Sequence, residues 1–220
     1  MTSIFSTYHA QNYPHVWSGS LHVAEIYGGV PSDPKVAEHW IRTKVEAADD
    51  LIREAVAETM AARNITADEA AAAVNELRHL NGFKTDAQGL YIGGFQLKAA
   101  LKEAVNVCMN VGALPEKWGK TRKGMTGWFP EHVFVMEDRL YLGVTEPTRV
   151  EQRFVHTWRG NSIQYEEVVE DAQIDFTIES DYEITETQWA TIWTHGEQQG
   201  IGAVRSQGHG RYEVTRWEKL

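Results

Sequence analysis

Apolar and polar residues first fall into a regular order at Ser20 to Tyr27, where Leu21 and Val23 alternate with Ser20 and His22. A period of two with β-branched content predicts a strand, stopped by Gly28-Gly29. The period then changes. Val36, Trp40, Ile41, Val45, Ala48, Ile52, Ala55, Val56 and Met60 recur at helical spacing, behind Asp33 as cap and Pro34 at the first helical position. Asn64 interrupts this helix, and Thr66-Ala67-Asp68-Glu69 is a capping box opening a second, alanine-rich helix to about Leu80. Residues 34–80 thus read as an inserted helical hairpin.

Gly82 to Ile92 reads as a short hairpin delivering the chain into Gly93-Gly94. A helix follows at once over Phe95 to Cys108, with Leu97, Leu101, Ala104, Val105 and Cys108 as its core stripe. Beyond it the pattern turns to strands. His132 to Met136 and Arg139 to Gly143 predict a hairpin around Glu137-Asp138, and Arg149 to Trp158, Ile163 to Val169 and Ala172 to Ile178 predict three further strands. Thr185-Glu186-Thr187-Gln188 is another capping box, for a helix carrying Trp189, Ile192 and Trp193 on its apolar side. A glycine-rich segment, Gly196 to Gly210, leads into the last strand at Tyr212 to Trp217. Strand, helix, strands, helix, strand is the order of an α+β fold: a ferredoxin-like or RRM-like antiparallel sheet with helices on one face, plus the inserted helical hairpin.

With 220 residues and 42% hydrophobic content, the chain can bury a sizeable core. A single domain over 1–220 is expected, with the helical insertion at about 34–80 and a basic loop at about 113–130. The one cysteine, Cys108, excludes an intrachain disulfide or a cysteine-rich zinc site and reads as a packed thiol. No apolar stretch reaches membrane-spanning length and the N-terminus lacks a signal pattern, so a cytoplasmic protein with no membrane partner is expected. The formal net charge of -10 opposes general attraction to nucleic acid, so any such binding must come from a local basic groove.

Three places supply one. The amides after Gly93 and Gly94 and the positive end of the following helix dipole can hold an anion, with Lys98 and Lys102 along one helix face. Lys117 to Lys123 is a concentrated basic run that includes Lys120, Arg122 and Lys123 and is flanked by Trp118 and Trp128, residues suited to stacking on bases. The glycine-rich loop carries Arg205, Ser206, His209 and Arg211, and glycine lets its amides approach a phosphodiester closely. Lysines that merely solubilise a helix, a solvated loop and a tight turn before the last strand explain these three places, in that order, as well. The loop fits no nucleoside-triphosphate or dinucleotide motif, and no cofactor is indicated.

Two motifs, Gly94-Phe95-Gln96-Leu97-Lys98-Ala99-Ala100-Leu101 and the loop from Gly200 through Gly210, resemble the repeat-associated RNA-binding (RAMP) superfamily, which supplies backbone subunits of CRISPR effector complexes. Ala99 and His209 depart from its pattern, which has glycine and often an aromatic at those positions. A more extensive resemblance, through Gly82-Phe83-Lys84, Leu97 to Ala104 and Ser206 to Glu213, is to a group of bacteriophage proteins of about this length and brings no activity with it. The superfamily resemblance implies a subunit that binds single-stranded RNA or DNA along its backbone and assembles as a homo-oligomer or multi-subunit complex.

No spacing carries catalysis or a metal. His195 and His209 bracket the glycine loop and are the acid–base pair a nuclease would use, yet they read as turn residues. Asp171 and Asp175 read as solvent-facing acids. A non-enzymatic nucleic-acid binder is therefore the first expectation. The alternatives are an interaction protein, such as a host-defence inhibitor, that uses Glu46, Asp49, Asp50, Glu54 and Glu58 on a basic partner, and a nuclease.

Overall fold

The structure is a computed structural model and describes residues 9, 11–31, 57–67, 69–70, 80–119, 127–157 and 160–220. In chain order its elements are β1 (His15–Tyr27), β2 (Val30–Pro31), β3 (Leu80–Gly82), β4 (Lys84–Asp86), β5 (Gly89–Gly93) and helix α1 (Gly94–Asn110). There follow α2 (Phe129–His132), β6 (Val133–Val135), β7 (Arg139–Tyr141), β8 (Arg149–Thr157), β9 (Gly160–Ser180), α3 (Glu186–Gln199) and β10 (Tyr212–Lys219). The architecture is α+β with mixed strand pairing. By its contacts the chain divides into two compact units.

The first unit comprises Met1–Tyr27, Thr85–Glu146 and Val169–Leu220. In its larger sheet β10 pairs antiparallel with β1, β1 neighbours β9, and β6 pairs antiparallel with β9. The chain passes through α1 between β1 and β6, and through α3 between β9 and β10. A second sheet has the order β4-β5-β7. Helices α1 and α3 lie side by side: the Cys108 thiol reaches the Thr191 carbonyl at 3.7 Å and Gln199 donates to Glu103 at 2.6 Å. Alternation along β1 buries Trp17, Leu21 and Val23, and helical spacing along α3 buries Trp189, Ile192 and Trp193. These meet in an aromatic core, with Trp189 edge-on to Trp17 at 5.2 Å and to Trp217 at 4.9 Å. Cys108 is buried on the side of α1 that meets α3, which raises its thiol pKa and fits the packed thiol expected.

The second unit comprises Gly28–Lys84 and Pro147–Val168. Here β8 pairs antiparallel with the first part of β9, from Thr157 opposite Gly160 to Arg149 opposite Val168. Strand β3 runs parallel to β9, with Leu80 opposite Tyr165, and β2 pairs with β3. Arg153 and the buried Glu166 form an ion pair at 2.6 Å. Of the expected helical hairpin, residues 57–63 are helical and Asn64 ends them at φ 52°. The capping box is formed: the Thr66 amide donates to Glu69 at 2.9 Å and the Glu69 amide to the Thr66 hydroxyl at 3.4 Å. The Thr66 amide, joined by the Thr66 hydroxyl, donates to the Glu69 carboxylate and holds that carboxyl below its ordinary range. Glu58 is exposed, whereas Glu46, Asp49, Asp50 and Glu54 lie outside the described residues.

Two expectations from the pattern are corrected. His132 to Gly143 is not a hairpin, because β6 joins β9 while β7 joins β5. The turn between them is tied down separately: the Met136 amide donates to Thr177, the Thr177 amide to the Glu137 carboxylate, and the Gly94 amide to Asp138. The two strands expected at Ile163 to Val169 and Ala172 to Ile178 are one strand of 21 residues. The strand runs on through the polar pair Glu170-Asp171 without a turn, with Asp171 at φ 54°, a conformation that aspartate tolerates.

Candidate nucleic-acid interface

Gly93 closes β5 in an extended conformation and Gly94 opens α1. Gly94 is required by the approach of another backbone: a Cβ there would lie 1.9 Å from the Glu137 carbonyl oxygen. Its amide is used by the fold, donating to the Asp138 carbonyl at 3.0 Å. Lys98, one turn on, is half-buried with its ammonium 4.4 Å from the centroid of the Phe134 ring, and this burial lowers its pKa from the ordinary lysine value. Lys102 is exposed. Positions 95, 98 and 102 follow the helical repeat, so Phe95, Lys98 and Lys102 share one side of α1. Phe95 is 66% exposed.

The glycine-rich segment is a folded knot. Gly200, Gly202, Gly208 and Gly210 all have positive φ, as does Val204 at 59°. The Ile201 amide donates to Gly210, the Gly210 amide to Glu25 and the Ala203 amide to Tyr27, which stitches the loop to the end of β1. Its polar side chains divide into two groups. Arg205 turns onto α1, where its guanidinium meets the Glu103 carboxylate at 2.7 Å. His209 lies 2.7 Å from Glu25 through Nδ1, with its ring 4.3 Å from that of Tyr27. Ser206 and Arg211 are exposed. His195 stands apart from this arrangement, on the side of α3 that carries Thr191, Thr194 and Gln198.

Lys120, Arg122 and Lys123 lie outside the described residues. The neck from which they depart is closed: the Trp128 amide donates to the Lys117 carbonyl at 3.1 Å, and a Cβ on Gly127 would lie 2.0 Å from the Gly119 carbonyl oxygen. Trp118 corrects the expectation that it stacks on bases, since it is 1% exposed, between Trp128 at 5.3 Å and Phe129 at 6.1 Å. Trp128 is itself stacked on His132 at 4.3 Å. Both indoles close the neck.

Along β1, β9 and β10, the residues that alternate with the core carry carboxylates. Asp171 and Asp175 are exposed, as are Glu213 and Glu218. Asp171 meets His22 at 3.3 Å, and Asp175 meets Arg216 at 3.3 Å and the Ser20 hydroxyl. The carboxylates on this side of the sheet disfavour a phosphate backbone. Among the described residues no group of three or more His, Cys, Asp or Glu side chains is placed to hold a metal ion.

The sequence reading missed a polar and aromatic cluster on β4, β5 and β7. Tyr91 lies opposite Tyr141, and Gly93 opposite Arg139. The tyrosine rings are 5.7 Å apart, and the Arg139 guanidinium sits 5.1 Å from the Tyr91 centroid. Asp86 accepts from Arg139 and, at 2.9 Å, from the Tyr141 hydroxyl. The Gln88 amide, with help from those two donors, holds the Asp86 carboxyl below its ordinary range. The only advance signal for this cluster was Tyr91 and Tyr141 as members of short strands.

No protein-family model matches the chain, and no curated protein sequence does. Its fold is similar to that of a chain in a solved structure described as the type III-B Cmr-beta bound to cognate target RNA, with TM-score 0.53 and 10% identity. The likeness covers 99% of this chain, which spans 64% of the length of that one. No helix among the described residues is long and apolar enough to cross a membrane.

Proposed function

We propose that this protein is a RAMP-like subunit that binds the backbone of a single nucleic-acid strand, RNA before DNA, within a homo-oligomeric or multi-subunit assembly. The observation that carries the reading is the fold likeness, over 99% of the chain, to a chain from an RNA-bound complex. Two features support a ferredoxin-like core as its basis: the strand order β10-β1-β9 with β6 on β9, and the passage of the chain through α1 and α3. Lys98 and Lys102 on α1 and Arg211 beside the glycine knot are the proposed phosphate contacts, with Lys120, Arg122 and Lys123 of the basic loop adding to them. Arg205 and His209 hold the knot in shape against Glu103 and Glu25 and serve the interface indirectly. The role is binding rather than catalysis.

Fluorescence anisotropy with labelled single-stranded RNA, single-stranded DNA and duplex, alongside light scattering, tests this. Affinity for the single strands should fall steeply between about 50 and 200 mM salt. Lys98→Gln and Lys102→Gln should each lower the slope of log affinity against log salt by about 1. Growth in mass on adding RNA supports assembly along the strand. Failure to bind any of the three nucleic acids would sink the proposal and turn attention to a protein partner.

A further inference from the structure

We propose that Tyr91, Tyr141 and Phe95 form a stacking platform for the unpaired bases of a single nucleic-acid strand, with its phosphates running past Lys98 and Lys102. This rests on the nucleic-acid reading above and names which part of the strand meets which part of the protein. The register assembles the platform. Tyr91 and Gly93 are two apart on β5, and their partners Tyr141 and Arg139 are two apart on β7, so all four positions lie on one face of the small sheet. Gly93 puts no side chain of its own on that face. A Cβ there would lie 2.2 Å from the Phe95 ring, so the ring lies directly on the glycine backbone and continues the row of tyrosines toward α1.

An aromatic ring that is 66% exposed and yet seated against backbone is held ready for a contact rather than buried in a core. Arg139 adds a planar cation over Tyr91, and Asp86 fixes both that guanidinium and the Tyr141 hydroxyl. Aromatic rings beside lysines on one helix side suit a strand whose bases are splayed and whose phosphates follow the positive charge. The acidic side of the larger sheet offers no such combination. A duplex hides the faces of its bases and has little to gain from the platform.

The test compares labelled single-stranded RNA with an abasic strand of equal length, using the full chain and the variants Phe95→Ala and Tyr91→Leu, with circular dichroism to check folding. The full chain should bind the base-bearing strand more tightly than the abasic one. Each variant should bind the base-bearing strand about 5- to 150-fold more weakly, the range for loss of one stacked base, while the salt slope stays unchanged. Equal binding of the two strands by the full chain, or undiminished affinity in a folded Phe95→Ala protein, overturns the platform. In that result, salt-sensitive binding by the full chain leaves the backbone-binding reading standing. No binding of either strand overturns both.

Discussion

The two glycine-rich turns in the first unit use the same residue for opposite ends. From Gly200 to Gly210 positive φ angles and close backbone contacts fold the segment inward, and its charged or titratable side chains at 205 and 209 pair with Glu103 and Glu25. At Gly93-Gly94 the missing side chains let a second backbone and an aromatic ring come close, and the ring stays exposed. A run of glycines therefore says only that backbones approach there. Whether a ligand meets them depends on what the neighbouring side chains are already doing.

The contrast is broken most severely at Gly210. Its φ of 75° disfavours any side chain, and a Cβ would sit 1.9 Å from the Ile201 carbonyl oxygen, inside the bond pattern that closes the knot. Gly210→Ala combines backbone strain with overpacking and should cost about 2–5 kcal/mol in urea unfolding. Gly94→Ala meets an equally close oxygen, that of Glu137, without the positive φ. A loss of about 1–3 kcal/mol is expected, enough to rank it below Gly210→Ala in the same experiment. The reverse ranking would show that the knot yields more readily than the entry to α1.

A smaller effect separates the two arginines of the knot. The Arg205–Glu103 pair is partly exposed, 30% and 46% for the two side chains, so Arg205→Gln should cost about 0.2–1 kcal/mol of stability, reduced further by salt. It should leave the salt slope of RNA binding unchanged, whereas Arg211→Gln should lower that slope by about 1 with stability intact. Equal slopes for the two variants would mean that Arg205 leaves Glu103 to meet the strand.

Local chemistry was legible in the sequence where one element could state it alone. Thr185 and Gln188 form the capping box that their spacing announced, and the stripe Leu97, Leu101, Ala104, Val105 and Cys108 is the buried side of α1. Pairing was not legible. Alternation at 133–135 and 139–141 identifies strands but not their partners, and the two strands separate into different sheets. The long strand β9 looked broken because Glu170-Asp171 is polar, whereas the strand continues through both residues, Asp171 taking a positive φ. The candidate site failed to show for the same reason. Arg205 meets a glutamate 102 positions away, and Arg139 meets an aspartate 53 positions away, so charge counted along the chain overstated one arginine and overlooked the other.

The finest probe of the comparison is Gly93→Ala. Here the obstacle is the Phe95 ring, the far end of a side chain that can swing aside, and the backbone of Gly93 is already in an extended conformation open to any residue. The stability loss should therefore be below about 1 kcal/mol, less than for any backbone clash. The ring, though, loses its seat in line with Tyr91 and Tyr141. A folded Gly93→Ala protein should bind single-stranded RNA more weakly at unchanged salt slope, and its advantage for base-bearing over abasic strands should shrink. Unchanged affinity would mean that Phe95 reaches a strand as well from any rotamer, and that Gly93 is needed only for the turn into α1.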